Sequence, residues 1–130
     1  MSVAVDTSAV LAIYLKETEA EAFKARIVAA DPKLISPVNY WEVMARARYL
    51  NGHIGVTEAG LLIAELGVAI EPVTEEQTLA AVEAFGRFGK GHPAKLNMGD
   101  CFAYALSKAT RTPLLFKGND FPQTDVLVAL

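Results

Sequence analysis

Cysteine occurs once in the 130 residues, as Cys101, so the chain can close no internal disulfide and assemble no thiolate cage around zinc. Histidine is almost as scarce. Neither His53 nor His92 has a nucleophile beside it, and the chain contains no Gly-x-Ser-x-Gly and no His-x-x-x-His, which removes the usual signatures of serine hydrolases and zinc proteases. Long apolar runs are missing too: none approaches the roughly 18 residues that a spanning helix needs. The opening Met1-Ser2-Val3-Ala4-Val5-Asp6 lacks a basic leader start, so a cytoplasmic protein away from membranes is expected. Nor is there an excess of positive charge. A net charge of −3 argues against broad nonspecific affinity for nucleic acid, which comes from cations neutralising phosphates, but leaves room for a locally basic groove. Repeats and low-complexity segments are absent.

What remains is the composition of a compact fold, with 52% hydrophobic and 21% charged residues. The length suits one domain over residues 1–130, able to bury roughly two thirds of its unfolded surface. Ser2 to Val5 reads as a buried strand, running through Asp6-Thr7-Ser8 into a helix that ends near Leu15. Thr18 to Ala30 has helical spacing, Asp31-Pro32-Lys33 breaks it, and Leu34-Ile35-Ser36 reads as a second strand. A helix from Pro37 to Leu50 stops at Asn51-Gly52, and another spans Thr57 to Leu66 with Leu61, Leu62 and Leu66 as core. Val68 to Val73 supplies a third strand. Thr74 opens a helix through Leu79, Val82, Ala84 and Phe85 that loosens at Gly86-Arg87-Phe88-Gly89-Lys90-Gly91. A helix from about Asn97 to Ala109 precedes a fourth strand at Leu114-Leu115-Phe116, and Val126-Leu127-Val128 is a possible fifth, at the sheet edge. Alternating strands and helices call for a mostly parallel sheet of four to five short strands with right-handed crossovers.

Four acids lie outside the obvious solvated charge runs. Asp6 follows the first strand, where open α/β sheets place their sites. Glu42 shares a helical stripe with Val38, Ala45 and Tyr49, Asp100 sits in the first turn before Cys101-Phe102-Ala103-Tyr104, and Asp120 follows the fourth strand. Each has a plain structural alternative: N-cap for Asp6, an i,i+4 pair with Arg46 for Glu42, a capping box with Asn97 for Asp100, a turn for Asp120. Taken together they form an all-oxygen set able to meet at one sheet edge, where mutual repulsion would call for a cation. Carboxylates without histidine or cysteine select hard ions, so Mg²⁺ is expected, with Mn²⁺ as a substitute. The chemistry that follows is phosphodiester hydrolysis.

Several stretches in order resemble the PIN-domain family and, within it, the VapC toxins of toxin–antitoxin pairs. They are Val5-Asp6-Thr7-Ser8-Ala9, Tyr40-Trp41-Glu42, His92-Pro93-Ala94-Lys95-Leu96-Asn97-Met98-Gly99-Asp100-Cys101-Phe102-Ala103-Tyr104-Ala105, and Leu114-Leu115-Phe116-Lys117-Gly118-Asn119-Asp120-Phe121. The resemblance implies a PIN-like three-layer α/β/α fold and a metal-dependent endoribonuclease, usually dimeric, that is inhibited by a cognate VapB-type antitoxin lying across the acidic cleft. It implies catalytic roles for Asp6, Glu42, Asp100 and Asp120, with Asp6, Asp100 and Glu42 on the metal. Many members carry Thr-x-Asp ahead of the terminal Asp-Phe, where this chain has Phe116-Lys117-Gly118, so Asp120 stands as a substitute ligand or as a turn residue.

Thr7 and Ser8 are candidates to orient a carboxylate or phosphate, with N-capping an equal explanation, and Lys95 to meet the substrate; Lys90, Arg46, Lys117 and, as a minor one, His92 are further candidate cations for the scissile phosphate, each with a plain solvated charge as its alternative. An unpaired loop of a folded RNA is the expected substrate, because A-form stems hide their base edges, and the resemblance suggests a tRNA or rRNA. Tyr40, Trp41 and Tyr104 are open to base stacking, to the core or to a dimer interface. Two other classes compete. A receiver-like signalling domain needs an acceptor aspartate after a middle strand, and Ile70-Glu71-Pro72 supplies none. A catalytically degenerate module would use the same acids only to bind its antitoxin.

Overall fold

Alternate residues of the first strand point to opposite sides of the sheet, and that alternation organises the molecule. The computed structural model describes residues 1–130. In chain order it contains β1 (Val3–Val5), α1 (Thr7–Tyr14), α2 (Ala20–Val28), β2 (Lys33–Ile35), α3 (Pro37–Leu66), β3 (Ala69–Ile70), α4 (Glu75–Phe88), α5 (Met98–Thr110) and β4 (Leu114–Leu115). A 3-10 turn follows at Phe121–Gln123. The strands lie in the order β3-β2-β1-β4, and every neighbouring pair is parallel. Ala4 sits opposite Leu34 on one side and Leu114 on the other, which makes β1 central.

On one face Val3, Val5, Ile35 and Leu115 pack with Val10 and Ile13 of α1, Phe23 and Ile27 of α2, and Val43 and Ile63 of α3. On the other, Ala4, Leu34 and Leu114 pack with Ala81, Ala84 and Phe88 of α4 and with Ala103 and Leu106 of α5. The result is the three-layer α/β/α arrangement, with a fully parallel sheet buried on both faces. No helix is long and apolar enough to cross a membrane.

Local chemistry sets the helix starts. Asp6, Ser36, Thr74 and Asn97 are N-caps whose side chains accept backbone N–H groups of the first turn, and Pro37 follows Ser36 where its missing N–H costs nothing. Ser36 therefore caps α3 instead of ending β2.

Several elements differ from the sequence reading. The expected stop at Asn51-Gly52 holds: at Gly52 the backbone leaves the helical region (φ 61°, ψ −142°), so α3 is two helices joined across a kink, the second beginning ahead of the expected Thr57. In a straight helix Ala47 and Gly55 would be about 12 Å apart. Here a Cβ at Gly55 would overlap the Ala47 carbonyl oxygen, so the kink folds the two halves against each other. The helix α4 continues through Gly86 to Phe88, because Phe88 is buried against the second core and carries the last turn with it. β3 shrinks to two exposed residues at the sheet edge. Val128 makes only an isolated parallel bridge to Leu114, so the expected fifth strand does not form and the sheet has four strands. Leu61 is 58% exposed, and the core position beside it is Ile63.

Candidate active site

The carboxyl end of β1 turns into α1 through Asp6, which is 4% exposed. Asp6 caps the helix: its Oδ2 accepts from the Ser8 backbone N–H (3.0 Å) and from the Ser8 hydroxyl (2.6 Å). Ser8 Oγ in turn accepts from the Lys117 N–H just beyond β4 (2.9 Å), tying the two neighbouring strand ends together. Burial pushes the Asp6 carboxyl up to about 7; the Ser8 hydrogen bonds oppose that rise, and the charges of Asp100 and Glu42 add to it.

Glu42 enters from the start of α3. Its Oε1 accepts from the Thr7 hydroxyl (2.6 Å) and lies 3.2 Å from Asn39 Nδ2. The alternative i,i+4 pair with Arg46 does not form; Arg46 lies 5.6 Å over the Tyr49 ring. A Cβ at Gly99 would overlap both Glu42 carboxylate oxygens, so residue 99 must be glycine for Glu42 to stand where it does. The buried stripe of this helix is Asn39, Val43 and Ala47, one position round from the stripe Val38, Glu42, Ala45 and Tyr49, and Tyr49 is 81% exposed. That rotation leaves Glu42 half-buried at the margin of the core.

Asp100 takes the capping role its position allows. It forms a capping box with Asn97: Asp100 Oδ2 accepts from the Asn97 N–H (3.1 Å) and Asn97 Oδ1 from the Asp100 N–H (2.9 Å). One carboxylate oxygen is left over. Burial raises its pKa, the Asn97 N–H opposes, and the charges of Asp120 and Glu42 raise it further. Asp120 is exposed in the turn after β4, and its side chain caps nothing. All four acids are thus brought together, linked by mutual repulsion. They do not form a closed cage, since no three of the acids, histidines and cysteine stand in metal-holding geometry. The donor set is still all oxygen and suits a hard cation that keeps part of its water shell.

Of the other expected contributors, Thr7 and Ser8 orient carboxylates, as their positions suggested. Lys95 is exposed at positive φ (51°) just ahead of Asn97. Lys117 pairs with Glu17 (3.1 Å) and Glu19 (3.4 Å), which turns its cation to the rim. His92 Nδ1 accepts from the Ala94 N–H and its ring meets Phe88 edge-on, a loop-building role. Tyr104 is buried and donates to Asp125, Tyr40 packs against the first core, and Trp41 is 67% exposed.

Asn39 escaped the sequence reading. It is completely buried, and its Nδ2 lies 3.0 Å from Thr7 Oγ1, 3.1 Å from the Gly99 carbonyl and 3.5 Å from Asp6 Oδ1. The one available signal was its place a turn before Glu42 on the same helix. Away from the acids, an apolar groove of about 270 Å³ between α4 and α5 is lined by Val82, Phe85, Met98 and Phe102 among others.

Comparison with known proteins agrees with this geometry. The PIN domain model matches residues 3–127. The chain is similar to ribonuclease VapC28 of Mycobacterium tuberculosis, with 41% identity over 128 residues covering 97% of this chain and 96% of that protein. Ribonuclease VapC30 of the same organism is 41% identical over 125 residues, 94% of each chain. Among solved structures, M. tuberculosis VapC20, described as a toxin cleaving the sarcin–ricin loop, superposes with a TM-score of 0.76 at 18% identity over 97% of each chain. VapBC2 from Rickettsia felis, bound to a DNA fragment from its promoter, gives 0.77 at 13% identity, covering 98% of this chain and 96% of that one. A central parallel sheet, acids gathered at its carboxyl edge and a family match over nearly the whole length lead to one conclusion: the chain belongs to the PIN-domain family, in its VapC group.

Proposed function

We propose that this protein is a cytoplasmic, Mg²⁺-dependent endoribonuclease toxin that hydrolyses phosphodiester bonds in loops of a tRNA or rRNA. A cognate VapB-type antitoxin holds it inactive. The observation that carries the reading is the convergence of Asp6, Glu42 and Asp100 from three separate elements, close enough that the charges of the other two help raise the carboxyl of Asp6. Repulsion built into a buried site is a cost to folding, and sites that accept it are commonly functional.

Asp6, Glu42 and Asp100 would hold Mg²⁺ or Mn²⁺, their all-oxygen donor set being the kind these hard ions take. The ion when bound makes water a stronger nucleophile and offsets charge on the phosphate oxygens. The chain's own residues prepare that site. Ser8 fixes the Asp6 carboxylate and Thr7 fixes that of Glu42. The capping box holds one oxygen of Asp100 and leaves the other for the site. Asp6, its carboxyl raised to about 7 by burial, would have to be ionised to hold a cation. Asp120, exposed beside Asp100, would orient water or the leaving strand. Lys95, exposed ahead of the α5 start, would meet a substrate phosphate.

The partner reading is supported by similarity to a toxin–antitoxin complex from Klebsiella pneumoniae and to VapBC-1 from nontypeable Haemophilus influenzae. A homodimer is supported by the apolar face of α4, where Leu79 (63%), Val82 (63%) and Phe85 (53%) are exposed beside Met98 of α5 (63%). Patches of this kind mark association surfaces. The competing reading, an inactive module whose acids only receive the antitoxin, predicts no metal uptake.

Purified protein should cleave a structured RNA with Mg²⁺, stop on chelation and recover with Mn²⁺, while Asp6→Asn and Asp100→Asn, both folded, lose cleavage. Unchanged metal-dependent cleavage by both variants would overturn the assignment. Sequencing the 5′ ends of RNAs cut on induction then names the substrate.

A further inference from the structure

Asn39 is the most unusual polar residue in the molecule. It is 0% exposed, yet its side chain lies at the junction of β1, α1, α3 and α5. Its amide nitrogen carries two protons and has four acceptors within reach: Thr7 Oγ1 (3.0 Å), the Gly99 carbonyl (3.1 Å), Glu42 Oε1 (3.2 Å) and Asp6 Oδ1 (3.5 Å). Its Oδ1, equally buried, has no partner. Leaving a buried carbonyl unpaired costs stability, and a leucine of similar size would fill the space more cheaply. The fold nevertheless keeps an amide there.

We propose that Asn39 is a positioning residue that sets the Asp6–Glu42 carboxylate pair before any cation arrives. This rests on the metal-site reading above and adds a residue to it. The chemistry explains why an amide is suited to the task. A lysine or arginine at this point would hold both carboxylates but would neutralise them and repel an incoming cation. A hydroxyl offers one proton and cannot reach two acids at once. A neutral –NH₂ has two protons, which its four neighbouring acceptors share, the Asp6 contact at 3.5 Å being the longest; it keeps the negative charge of the site intact and never competes as a cation.

The geometry also gives Asn39 a second task. Thr7 Oγ1 donates to Glu42 (2.6 Å) and accepts from Asn39, so the hydroxyl proton is steered towards the carboxylate. Through the Gly99 carbonyl, Asn39 grips the first turn of α5, where Gly99 admits the Glu42 carboxylate and Asp100 follows. One buried amide therefore registers three elements that each bring one acid. Asn39 touches neither substrate nor reacting atoms in this arrangement; it acts through the acids.

The test uses the full-length protein and the variants Asn39→Leu and Asn39→Ser, with Mn²⁺ alone as the probe in titration calorimetry and RNA cleavage measured in parallel. Outer residues that orient metal ligands are commonly worth about 10- to 100-fold in affinity. Asn39→Leu is expected to weaken Mn²⁺ binding by about that factor and to lower kcat while leaving KM for RNA within about twofold. Asn39→Ser, which keeps one donor, should recover part of the Mn²⁺ affinity. If Asn39→Leu does not fold, Asn39→Ser carries the comparison alone and must still bind Mn²⁺ more weakly than the native protein. A folded variant with native Mn²⁺ affinity overturns this inference and leaves the nuclease reading standing. A native protein that takes up no Mn²⁺ overturns both.

Discussion

The carboxylate of Glu42 occupies the space in which a side chain at Gly99 would begin. Two residues far apart in sequence thus share one volume, and each restricts the other. Adding a methyl at residue 99 would favour the helix by up to about 1 kcal/mol on propensity grounds, since glycine is a poor helix former. The clash with Glu42 opposes that and falls on the site. Gly99→Ala should therefore leave circular dichroism near native and cut RNA cleavage by at least about 10-fold, in the range found when ligand-supporting groups are displaced. Native-level cleavage by Gly99→Ala would show that Glu42 can move without consequence.

Asp6 makes stability depend on pH in an unusual direction. Its folded pKa, about 7, lies above the ordinary 3.8, so between about pH 4 and pH 7 the folded chain holds a proton that the unfolded chain has released. Stability contributed by this group is complete below the unfolded pKa and is lost as pH rises through the folded one. Asp100 is raised as well and adds to the same trend. In chelator, the Tm should fall across that window, and saturating Mg²⁺ should flatten the fall. A Tm that climbs steadily from pH 4 to pH 7 in chelator would contradict the burial of Asp6.

Replacing the acid by its amide separates function from stability. Asparagine remains a good N-cap, so Asp6→Asn should keep α1 capped, remove the buried charge, and raise the Tm at pH 8 in chelator while abolishing cleavage. Thermal melts and a cleavage assay on the same preparation check both halves. Loss of stability at pH 8 would mean that the cap depends on the ionised carboxylate.

The exposed face of α4 offers a test of assembly. Phe85 is 53% exposed and Val82 63%, so a charge at either position should disturb the monomer by no more than about 0.5 kcal/mol. Phe85→Asp should shift the protein from dimer to monomer in sedimentation with its Tm at low concentration unchanged. A dimer that survives both Phe85→Asp and Val82→Asp would place the interface elsewhere.

Cys101 supplies a probe of the second core. It is 2% exposed, and burial pushes its thiol up to about 11, with the Asp100 charge adding to the rise. A thiol held protonated and out of solvent reacts slowly. Labelling at pH 8 should be at least about 10-fold slower in the native protein than in denaturant, rates that a colorimetric disulfide reagent measures directly.

Much of this was determined by sequence alone. Element order, the caps at Asp6, Thr74 and Asn97, and the identity of the four acids all follow from short-range rules of apolar spacing, capping chemistry and chain reversal. Tertiary structure decided the rest. The stripe of α3 that faces the core is set by where α1 and α5 press on it, which is why Asn39 is buried and Tyr49 is not. Gly86 does not end α4, because burial of Phe88 outweighs glycine's poor propensity. The stop at Gly52 was legible locally, but that Gly55 would then lie against the Ala47 carbonyl was not. Gly99 is small for the sake of Glu42, and Asn39 gathers groups from the α1 start, α3 and α5. Those roles depend on contacts between residues distant in the chain, and no local pattern records which distant partner will fill the space.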